Sequence, residues 1–361
     1  MKKHIALIFG GQSSEHEVSI NSAKNIFKAL DKSLFTVSLL GISKEGSWYL
    51  FSDSEIENLK SIRDADINQE KHAALVAKKS KPYILQLHNS QYTPVDCAFP
   101  IVHGTNGEDG VLQGYLKMVG VPFVGCGVMG SAINMDKEVM KIVMTSAGIP
   151  NSKYLVLKST KPTQYDDIVK KLGSPFFIKP ANAGSSVGVH KIKTAADFST
   201  QLKDSFKYDH KVIAEEFIDG REIECSVMGL NHKANAATPG ELVVKHEFYS
   251  YEAKYLDDHG AEIVIPAKID STKTEELRTL AAKAYEALYC DGLARVDFFM
   301  KKNGDLVVNE LNTLPGFTKI SMYPMMWKAH GVEYSSLITM LIQCAFERAE
   351  FDRNLDLNFM K

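Results

Sequence analysis

The sequence predicts a chain of mixed α/β and α+β class that contains three domains. Its first third alternates strand and helix patterns, which is typical of an open and mainly parallel sheet. Short strands with flanking helices follow from about residue 126, and longer alternating strands from about residue 215. A chain of 361 residues is long enough for two or three hydrophobic cores. We therefore expect domains at 1–125, 126–214 and 215–361.

The composition limits the classes of partner. Lys and Arg number 42 and Asp and Glu 44, so the formal charge of −2 offers no field that would attract nucleic acid or an anionic membrane. The five cysteines form no C-x-x-C pair, which favours buried thiols in a reducing compartment over disulfides or a zinc site. No apolar run reaches the roughly 18 residues of a membrane span. We expect a cytoplasmic protein with small polar ligands.

The first predicted element is a strand at HIALIFGG, residues 4–11. The start of the chain superficially resembles a signal peptide, but its apolar run is short and lacks a small-residue cleavage site. Ser14 and Glu17 have the spacing of a capping box, which predicts that a helix begins directly after the Gly-Gly turn. Its N-terminus would then face the carboxyl edge of the sheet, where ligands of such sheets bind. The apolar positions of this helix are Val18, Ile26, Phe27 and Leu30.

The other elements follow in chain order. The first domain continues with strands FTVSLLGI (35–42) and DCAFPIVHG (96–104) and a helix in EDGVLQGYLKMVG (108–120). The second has a helix in MDKEVMKIVMTSAG (135–148) and strands YLVLK (154–158), PFFIKP (175–180) and VIAEEFI (212–218). The third has strands REIECSVMG (221–229) and RVDFFM (295–300) and a helix at 334–350.

The loop KPANAGSSVGV, residues 179–189, is a candidate phosphate site. Its Gly-Ser-Ser centre can point backbone N–H groups and two hydroxyls at one anion, with Lys179 at the end of the preceding strand. It is not a P-loop, because the lysine comes before the glycines and a strand follows. Taken alone, the loop is equally compatible with a small-residue turn beside a solvated lysine.

A second candidate is the segment from about 238 to 264, which is polar, aromatic and poorly periodic. A segment of this length without clear periodicity often forms a lid over a site. An ordinary exposed loop is the alternative.

The segment Arg295 to Asn312 predicts a hairpin that binds metal. Asn303-Gly304 is a strong signal for a type I′ turn, in which Lys302 would pair with Asp305. Counting outward, Asp297 then faces Glu310, and Arg295 faces Asn312 on the same side of the sheet. Facing carboxylates destabilise a sheet unless a cation lies between them. Hard oxygen ligands of this kind suit Mg²⁺, which binds through one or two carboxylates plus substrate phosphates. A surface hairpin with unrelated acids is the alternative.

A phosphate loop and a magnesium hairpin together favour ATP as the ligand. Seven motifs follow one another along the chain: FGGQSSEHEVS (9–19), HGTNGEDG (103–110), MDK (135–137), KPANAGSSVG (179–188), EAKY (252–255), RVDFF (295–299) and NELNTLPGFT (309–318). Their order resembles the ATP-grasp superfamily, and within it the resemblance to the D-alanine:D-alanine ligase family extends over nearly the whole chain. The resemblance implies a three-domain ATP-grasp architecture with ATP held between the central and C-terminal domains.

In that family, ATP phosphorylates the carboxylate of one D-alanine, and the amine of a second D-alanine attacks the acyl phosphate to give the dipeptide for peptidoglycan precursors. The resemblance implies that Lys137 and Lys179 hold the ATP phosphates, Glu215 accepts the adenine amino group and Glu222 binds ribose. The residues it implies in ATP binding are Lys137, Lys179, Ser185, Ser186, Glu215, Glu216, Phe217, Ile218, Glu222 and Lys254. Taken alone, each lysine would more commonly be solvated.

The resemblance also implies substrate and metal roles. Glu15 would bind the first ammonium group and connect to Ser185 and Tyr255, although capping of the first helix is an alternative role for it. Arg295 and the N–H of Gly316 would form the oxyanion hole. The residues implied in substrate binding are Glu15, His103, Arg295, Gly316, Ser321 and Met322. Those implied in catalysis are Glu15, His103, Ser185, Tyr255, Arg295 and Gly316. The implied metal ligands are Asp297, Glu310 and Asn312. A merely structural hydrogen-bonded role is the alternative for His103.

Cofactors and partners follow in the same way. The resemblance implies two Mg²⁺ ions, with Mn²⁺ as an alternative and a monovalent cation as an addition, and a homodimer. Lys254 and Tyr255 would belong to the lid, and a tyrosine there favours the dipeptide over a depsipeptide.

Two other readings stay open at this point. One is an ATP-grasp ligase for a different amino acid or peptide, and the other is a nucleotide-binding regulator without catalysis.

Overall fold

The computed structural model of the protein describes residues 1–244 and 261–355. The strands are β1 (Lys3–Gly10), β2 (Phe35–Ile42), β3 (Trp48–Phe51), β4 (Ala73–Lys78), β5 (Lys81–Gln86), β6 (Gln91–Pro94), β7 (Cys97–Pro100), β8 (Tyr154–Lys158), β9 (Phe176–Pro180), β10 (His190–Ile192), β11 (Lys211–Glu216), β12 (Gly220–Gly229), β13 (Asn235–Ala236), β14 (Gly240–Val244), β15 (Ala261–Val264), β16 (Gly292–Lys301) and β17 (Leu306–Asn312). The helices are α1 (His16–Ala29), α2 (Asp53–Asn58), α3 (Val111–Val119), α4 (Val128–Met135), α5 (Lys137–Ser146), α6 (Tyr165–Leu172), α7 (Ala195–Ser205), α8 (Ser271–Ala287), α9 (Met322–Ala329) and α10 (Tyr334–Arg353).

The N-terminal sheet has the strand order β3-β2-β1-β7. As predicted, it is mainly parallel, because β1 runs parallel to both β2 and β7 while β3 is antiparallel to β2. Gly10 ends β1 at φ +88°, and a Cβ there would lie 2.2 Å from the Ile42 carbonyl oxygen, so the turn requires glycine. The small antiparallel sheet β4-β5-β6 was not predicted from the sequence.

The predicted capping box of α1 does not form. The helix begins at His16 with Glu15 as its N-cap residue, and no side chain there caps the first turn. Ser14 and Glu17 therefore do not occupy the N-cap and N3 positions that a capping box needs. The Glu17 carboxylate instead lies 2.6 Å from Lys44 Nζ.

The other two sheets are antiparallel. The central sheet has the order β10-β9-β11-β8, and the C-terminal sheet has the order β15-β14-β12-β16-β17, with β13 paired to β12. The predicted helix at 334–350 is α10, which extends to Arg353. Within the described residues, no helix is both long and apolar enough to span a membrane.

The hairpin of β16 and β17 has a different turn from the one predicted. Lys301, and not Lys302, donates its N–H to the Asp305 carbonyl at 2.9 Å, so the loop has three residues and ends at Gly304 with φ +87°. The register then shifts between Asp297 and the next residue of β16, because a β-bulge at Asn309 adds one residue to β17. The extra residue at the bulge compensates for the longer turn.

Hydrophobic clusters cross between distant parts of the chain. One cluster joins β1 residues such as Leu7 to α10 residues such as Leu341, and another joins Met144 of α5 to the C-terminal sheet. The cluster around Ile178, by contrast, contains only residues between 155 and 214. The domain boundaries at 125 and 214 stay a prediction.

Candidate functional site

The predicted phosphate loop lies between β9 and β10. Ser185 and Ser186 have left-handed φ values of +52° and +58°. This conformation costs a non-glycine residue about 1–2 kcal/mol, so the surrounding structure must stabilise it. Ser185 Oγ donates a 2.6 Å hydrogen bond to Glu15 Oε1. The loop therefore lies against the N-terminal end of α1, and the connection predicted between Glu15 and Ser185 is present.

Three lysines and one glutamate are buried beside this loop. Lys137 Nζ donates to the Ala183 carbonyl at 2.7 Å, inside the loop itself. Lys179 Nζ lies 2.8 Å from Glu215 Oε2, and Lys141 Nζ lies 3.0 Å from Glu215 Oε1. None of these four ionisable residues is more than 8% exposed. These lysines are therefore not solvated, as a lone lysine commonly is.

This buried group has a surplus of positive charge. Burial lowers the pKa of Lys137 and Lys141. Burial acts in the same direction on Lys179, but the Glu215 and Glu310 carboxylates outweigh it and raise the pKa of Lys179. A surplus of buried charge is unfavourable unless a counter-ion compensates it. The group is therefore suited to a polyanion such as a triphosphate.

The adenine and ribose residues implied by the resemblance lie where β11 passes into β12. Glu216 Oε1 accepts the N–H of Lys153 at 2.8 Å, and the Phe217 ring lies 6.1 Å from that of Phe177. Ile218 is buried, and Glu222 is paired with Phe299 in the neighbouring strand. This connection joins the central and C-terminal sheets, so a base bound there would contact both.

The hairpin pairs its polar residues as predicted. Asp297 lies opposite Glu310, and Arg295 lies opposite Asn312. The register with β12 adds Glu224 opposite Asp297, so three carboxylates lie in a row across three strands. The opposite face is apolar and buried, with side chains from Val296, Phe298 and Met300. The hairpin is thus a buried element and not the surface hairpin of the alternative reading.

Arg295 holds two of these acids. Its guanidinium donates to both oxygens of Asp297 at 2.7 Å, and its Nε lies 3.0 Å from Glu224 Oε2. Burial opposes the charge on Arg295, but Asp297 and Glu224 raise its pKa further above the ordinary value. The row of acids presents hard oxygen donors, which suit Mg²⁺.

Within 1–244 and 261–355, no group of three or more His, Cys, Asp or Glu side chains is arranged to hold a metal ion by itself.

His103 is buried at the end of the N-terminal sheet, where its ring nitrogens contact Leu314 O at 3.0 Å and Ser22 Oγ at 3.1 Å. Glu108 Oε1 lies 3.7 Å from His103 Nδ1 and accepts the Gly104 N–H at 2.8 Å. Burial opposes a charge on His103, but Glu108 and Glu15 raise its pKa above the usual value. The sequence did not single out Glu108.

The segment between β17 and α9 contains two of the predicted substrate residues, Gly316 and Ser321, and a third, Met322, is the first residue of α9. Ser321 is the N-cap residue of α9, but its hydroxyl accepts the Thr318 N–H at 3.1 Å and does not cap the helix. Helix N-termini bind carboxylates through N–H groups that lack a partner within the helix. The His103 bond to Leu314 brings this segment to the N-terminal sheet. Lys254 and Tyr255, together with most of the predicted lid, lie outside the described residues.

Comparison with known proteins identifies the family. The family model described as D-ala D-ala ligase N-terminus matches residues 4–126, and the one described as D-ala D-ala ligase C-terminus matches residues 143–343. The chain belongs to the D-alanine–D-alanine ligase family. The D-alanine–D-alanine ligase of Oceanobacillus iheyensis is 46% identical over 360 residues, and D-alanine–D-alanine ligase A of Escherichia coli K12 is 45% identical over 360 residues. Both alignments cover 98% of this chain and 98% of the relative.

Two solved structures of D-Ala ligases have folds similar to that of this chain. The D-alanine-D-alanine ligase from Coxiella burnetii gives a TM-score of 0.86 at 36% identity, covering 98% of this chain and 96% of that one. The VanG D-Ala:D-Ser ligase from Enterococcus faecalis gives 0.85 at 34% identity, covering 96% and 100%. The predicted fold class and the ATP-grasp architecture are confirmed.

Proposed function

We propose that the chain is an ATP-dependent D-alanine–D-alanine ligase. It phosphorylates the carboxylate of one D-alanine, joins the acyl phosphate to the amine of a second, and releases ADP and phosphate. The dipeptide serves peptidoglycan precursor synthesis, and the compartment is the cytoplasm. Family membership over the length of the chain supports this reaction over a ligase for another amino acid.

The bond between Ser185 and Glu15 is the observation that carries the proposal. It joins the phosphate loop to a carboxylate at the start of α1 over 2.6 Å. A carboxylate can bind the ammonium group of an amino acid, and the same amino acid would then present its own carboxylate beside the loop. Holding two reactants in this way accounts for much of the acceleration of a phosphoryl transfer.

The remaining roles are those that the resemblance implies, and the positions of the residues are compatible with them. Lys137 and Lys179 bind phosphate oxygens, and the β11 to β12 connection holds the base and ribose. Arg295 lies on the face of the acidic row and, with the N–H of Gly316, stabilises the oxyanion of the tetrahedral intermediate. The N-terminus of α9, with Ser321 and Met322, binds the carboxylate of the second D-alanine.

Asp297, Glu310 and Asn312 would hold two Mg²⁺ ions, or Mn²⁺ in their place. When bound, these ions neutralise charge on the phosphate oxygens. Replacing Glu310 with Gln should abolish Mg²⁺-dependent ADP release, with Glu276→Gln on the exposed surface of α8 as control. ADP release at the wild-type rate would remove the metal role of Glu310. A homodimer and a monovalent cation are further expectations that rest on the family alone.

The direct test measures ADP release with Mg-ATP and D-alanine and identifies the product by mass spectrometry. Parallel reactions contain L-alanine alone, D-alanine with D-lactate and D-alanine with D-serine, since one structural neighbour is a D-Ala:D-Ser ligase. We expect ADP and the D-alanine dipeptide with D-alanine alone. ADP release only with another acceptor would assign a different ligase, and no turnover with any acceptor would favour the regulator.

A further inference from the structure

Lys141 has no role in the reaction as proposed so far. It lies one turn after Lys137 in α5 and is 0% exposed. Its Nζ donates to Ser152 Oγ at 2.7 Å and lies 3.0 Å from Glu215 Oε1. A fully buried lysine is rare unless its charge is compensated. Here the compensating charge comes from Glu215, the carboxylate assigned to the adenine amino group.

The buried lysines differ in what they can reach. Lys137 and Lys179 are each 8% exposed, whereas Lys141 has no exposed surface. Lys137 already contacts the phosphate loop, and Lys179 stands at its first position. Lys141 is held instead between two buried groups, Ser152 and Glu215. A bound phosphate would therefore contact Lys137 and Lys179, while Lys141 would keep its contacts with Ser152 and Glu215.

We propose that Lys141 is a positioning residue that fixes the Glu215 carboxylate in its ionised form, and thereby sets the preference of the site for a 6-aminopurine over a 6-oxopurine. This inference rests on the proposed function, because it takes Glu215 as the acceptor for the base.

The two oxygens of Glu215 have different partners. Lys179 lies on Oε2 and Lys141 on Oε1. When a phosphate chain attracts Lys179, Oε2 becomes available to accept an amino group, and Lys141 alone then compensates the buried carboxylate. A 6-oxopurine would place its carbonyl oxygen against this carboxylate, and two acceptors repel each other.

The charge state of Glu215 depends on the two lysines. Burial by itself would raise the pKa of Glu215, and Lys141 and Lys179 together hold it below its usual value. Without Lys141, the buried carboxyl group protonates more readily. A protonated carboxyl can donate a hydrogen bond to a 6-oxo group, so the discrimination between the two purines would weaken.

Calorimetric titration of the full-length protein with ADP and with IDP, each with Mg²⁺, tests the inference without D-alanine. We expect the wild type to bind ADP more tightly than IDP. Lys141→Met should reduce the ratio of the two affinities by about tenfold or more, since a hydrogen bond to a charged group has a value of that order. Lys141→Arg, which keeps the charge, should retain most of the preference.

Two controls separate positioning from a general loss of packing. Met144→Ala removes a buried side chain from the same helix without changing any charge, and should lower the melting temperature while leaving the affinity ratio unchanged. If Lys141→Met does not fold, Lys141→Gln keeps a donor for Ser152 without the charge and answers the same question.

The outcomes are distinct. A wild type that binds neither nucleotide would overturn the proposed function and this inference with it. A wild type that prefers ADP, together with a Lys141→Met variant of unchanged preference, would overturn the inference alone. A fall in preference shared by Met144→Ala would assign Lys141 a packing role only.

Discussion

Glu15 shows how a single side chain can be assigned only when its partner is known. The sequence allowed either helix capping or substrate binding for this residue. In the structure its carboxylate does not cap α1 and accepts the hydroxyl of Ser185, which lies 170 residues further along the chain. No local pattern contains such a contact, so the residue-by-residue resemblance was needed to anticipate it.

Replacing Glu15 with Gln should therefore weaken binding of the first substrate. The amide keeps the shape and can still accept from Ser185, but it has no charge for an ammonium group. We expect KM for D-alanine to rise by about tenfold or more, with the affinity for ADP nearly unchanged. Steady-state kinetics and nucleotide titration measure the two quantities.

The matched control is Glu17→Gln, on the same helix and paired with Lys44. It removes an equal charge two residues away and should leave KM for D-alanine within about twofold of the wild type. An equal rise in both variants would mean that overall charge, and not contact with substrate, is the cause.

His103 should contribute to stability in a pH-dependent way. Because its folded-state pKa is raised above the ordinary 6.5, its contribution is fully present below that pH and is lost as the pH rises through the folded-state value. His103→Gln should therefore destabilise the protein more at pH 6 than at pH 9. Urea unfolding at several pH values measures this difference.

The control for this experiment is His88→Gln, because His88 is exposed near the turn that joins β5 to β6. Its effect should be small at every pH. A His103→Gln penalty that does not change with pH would contradict the proposed charge interaction with Glu108 and Glu15.

At the scale of single elements, the hairpin of β16 and β17 was predicted in its outer pairing but not in its turn. Asn303-Gly304 indicated a two-residue turn, and the structure has a three-residue turn followed by a bulge at Asn309. The two differences cancel, so Asp297 still faces Glu310. A bulge depends on pairing with a neighbouring strand, and sequence spacing alone does not reveal it.

The turn itself can be tested at Gly304, where φ is +87°. The position is spacious, since a Cβ would come no closer than 3.8 Å to Lys273, so the backbone conformation is the main constraint. Gly304→Val should cost about 1–2 kcal/mol, and Gly304→Asn clearly less, because asparagine tolerates the left-handed region. The midpoints of urea unfolding give the comparison. Equal costs for both variants would indicate that the turn does not require this conformation.

Two residues of the site, Glu224 and Lys141, were not predicted from the sequence, for the same reason. Glu224 lies in the row of acids because β12 pairs with β16 in a particular register. Lys141 reaches Glu215 because α5 packs beside β11. In each case the motif residue was visible in the sequence, and its neighbour on another element was not. In the antiparallel hairpin the two strands are adjacent in sequence, so the residue opposite Asp297 could be predicted by counting outward from the turn.

At the scale of the whole molecule, the order of strands and helices was predictable but the sharing of the core was not. The apolar face of α10 belongs to the same hydrophobic cluster as β1 and packs against α1 and β7, although these elements lie near the other end of the chain. Arg348 of α10 adds a separate contact with the N-terminal part of the chain, because it donates to the Phe123 carbonyl at 2.7 Å and lies over the Phe123 ring. Periodicity identifies an apolar face and does not say which other face it meets.

This shared core allows a prediction of which segments unfold together when a core side chain is truncated. Leu341 is fully buried against the N-terminal elements, so Leu341→Ala should cost about 2–5 kcal/mol and accelerate amide hydrogen exchange in β1 as well as in α10. Ile178→Ala removes a similar side chain from the separate cluster of residues 155–214, and should accelerate exchange in β9 and β11 with little effect on β1. Native-state exchange followed by mass spectrometry reads all four segments in one experiment. If Leu341→Ala left exchange in β1 unchanged, the two ends of the chain would be independent folding units, and the core that α10 shares with β1 would contribute little to stability. Faster exchange in β1 would mean instead that the carboxylate of Glu15, which follows β1, depends on α10 for its position.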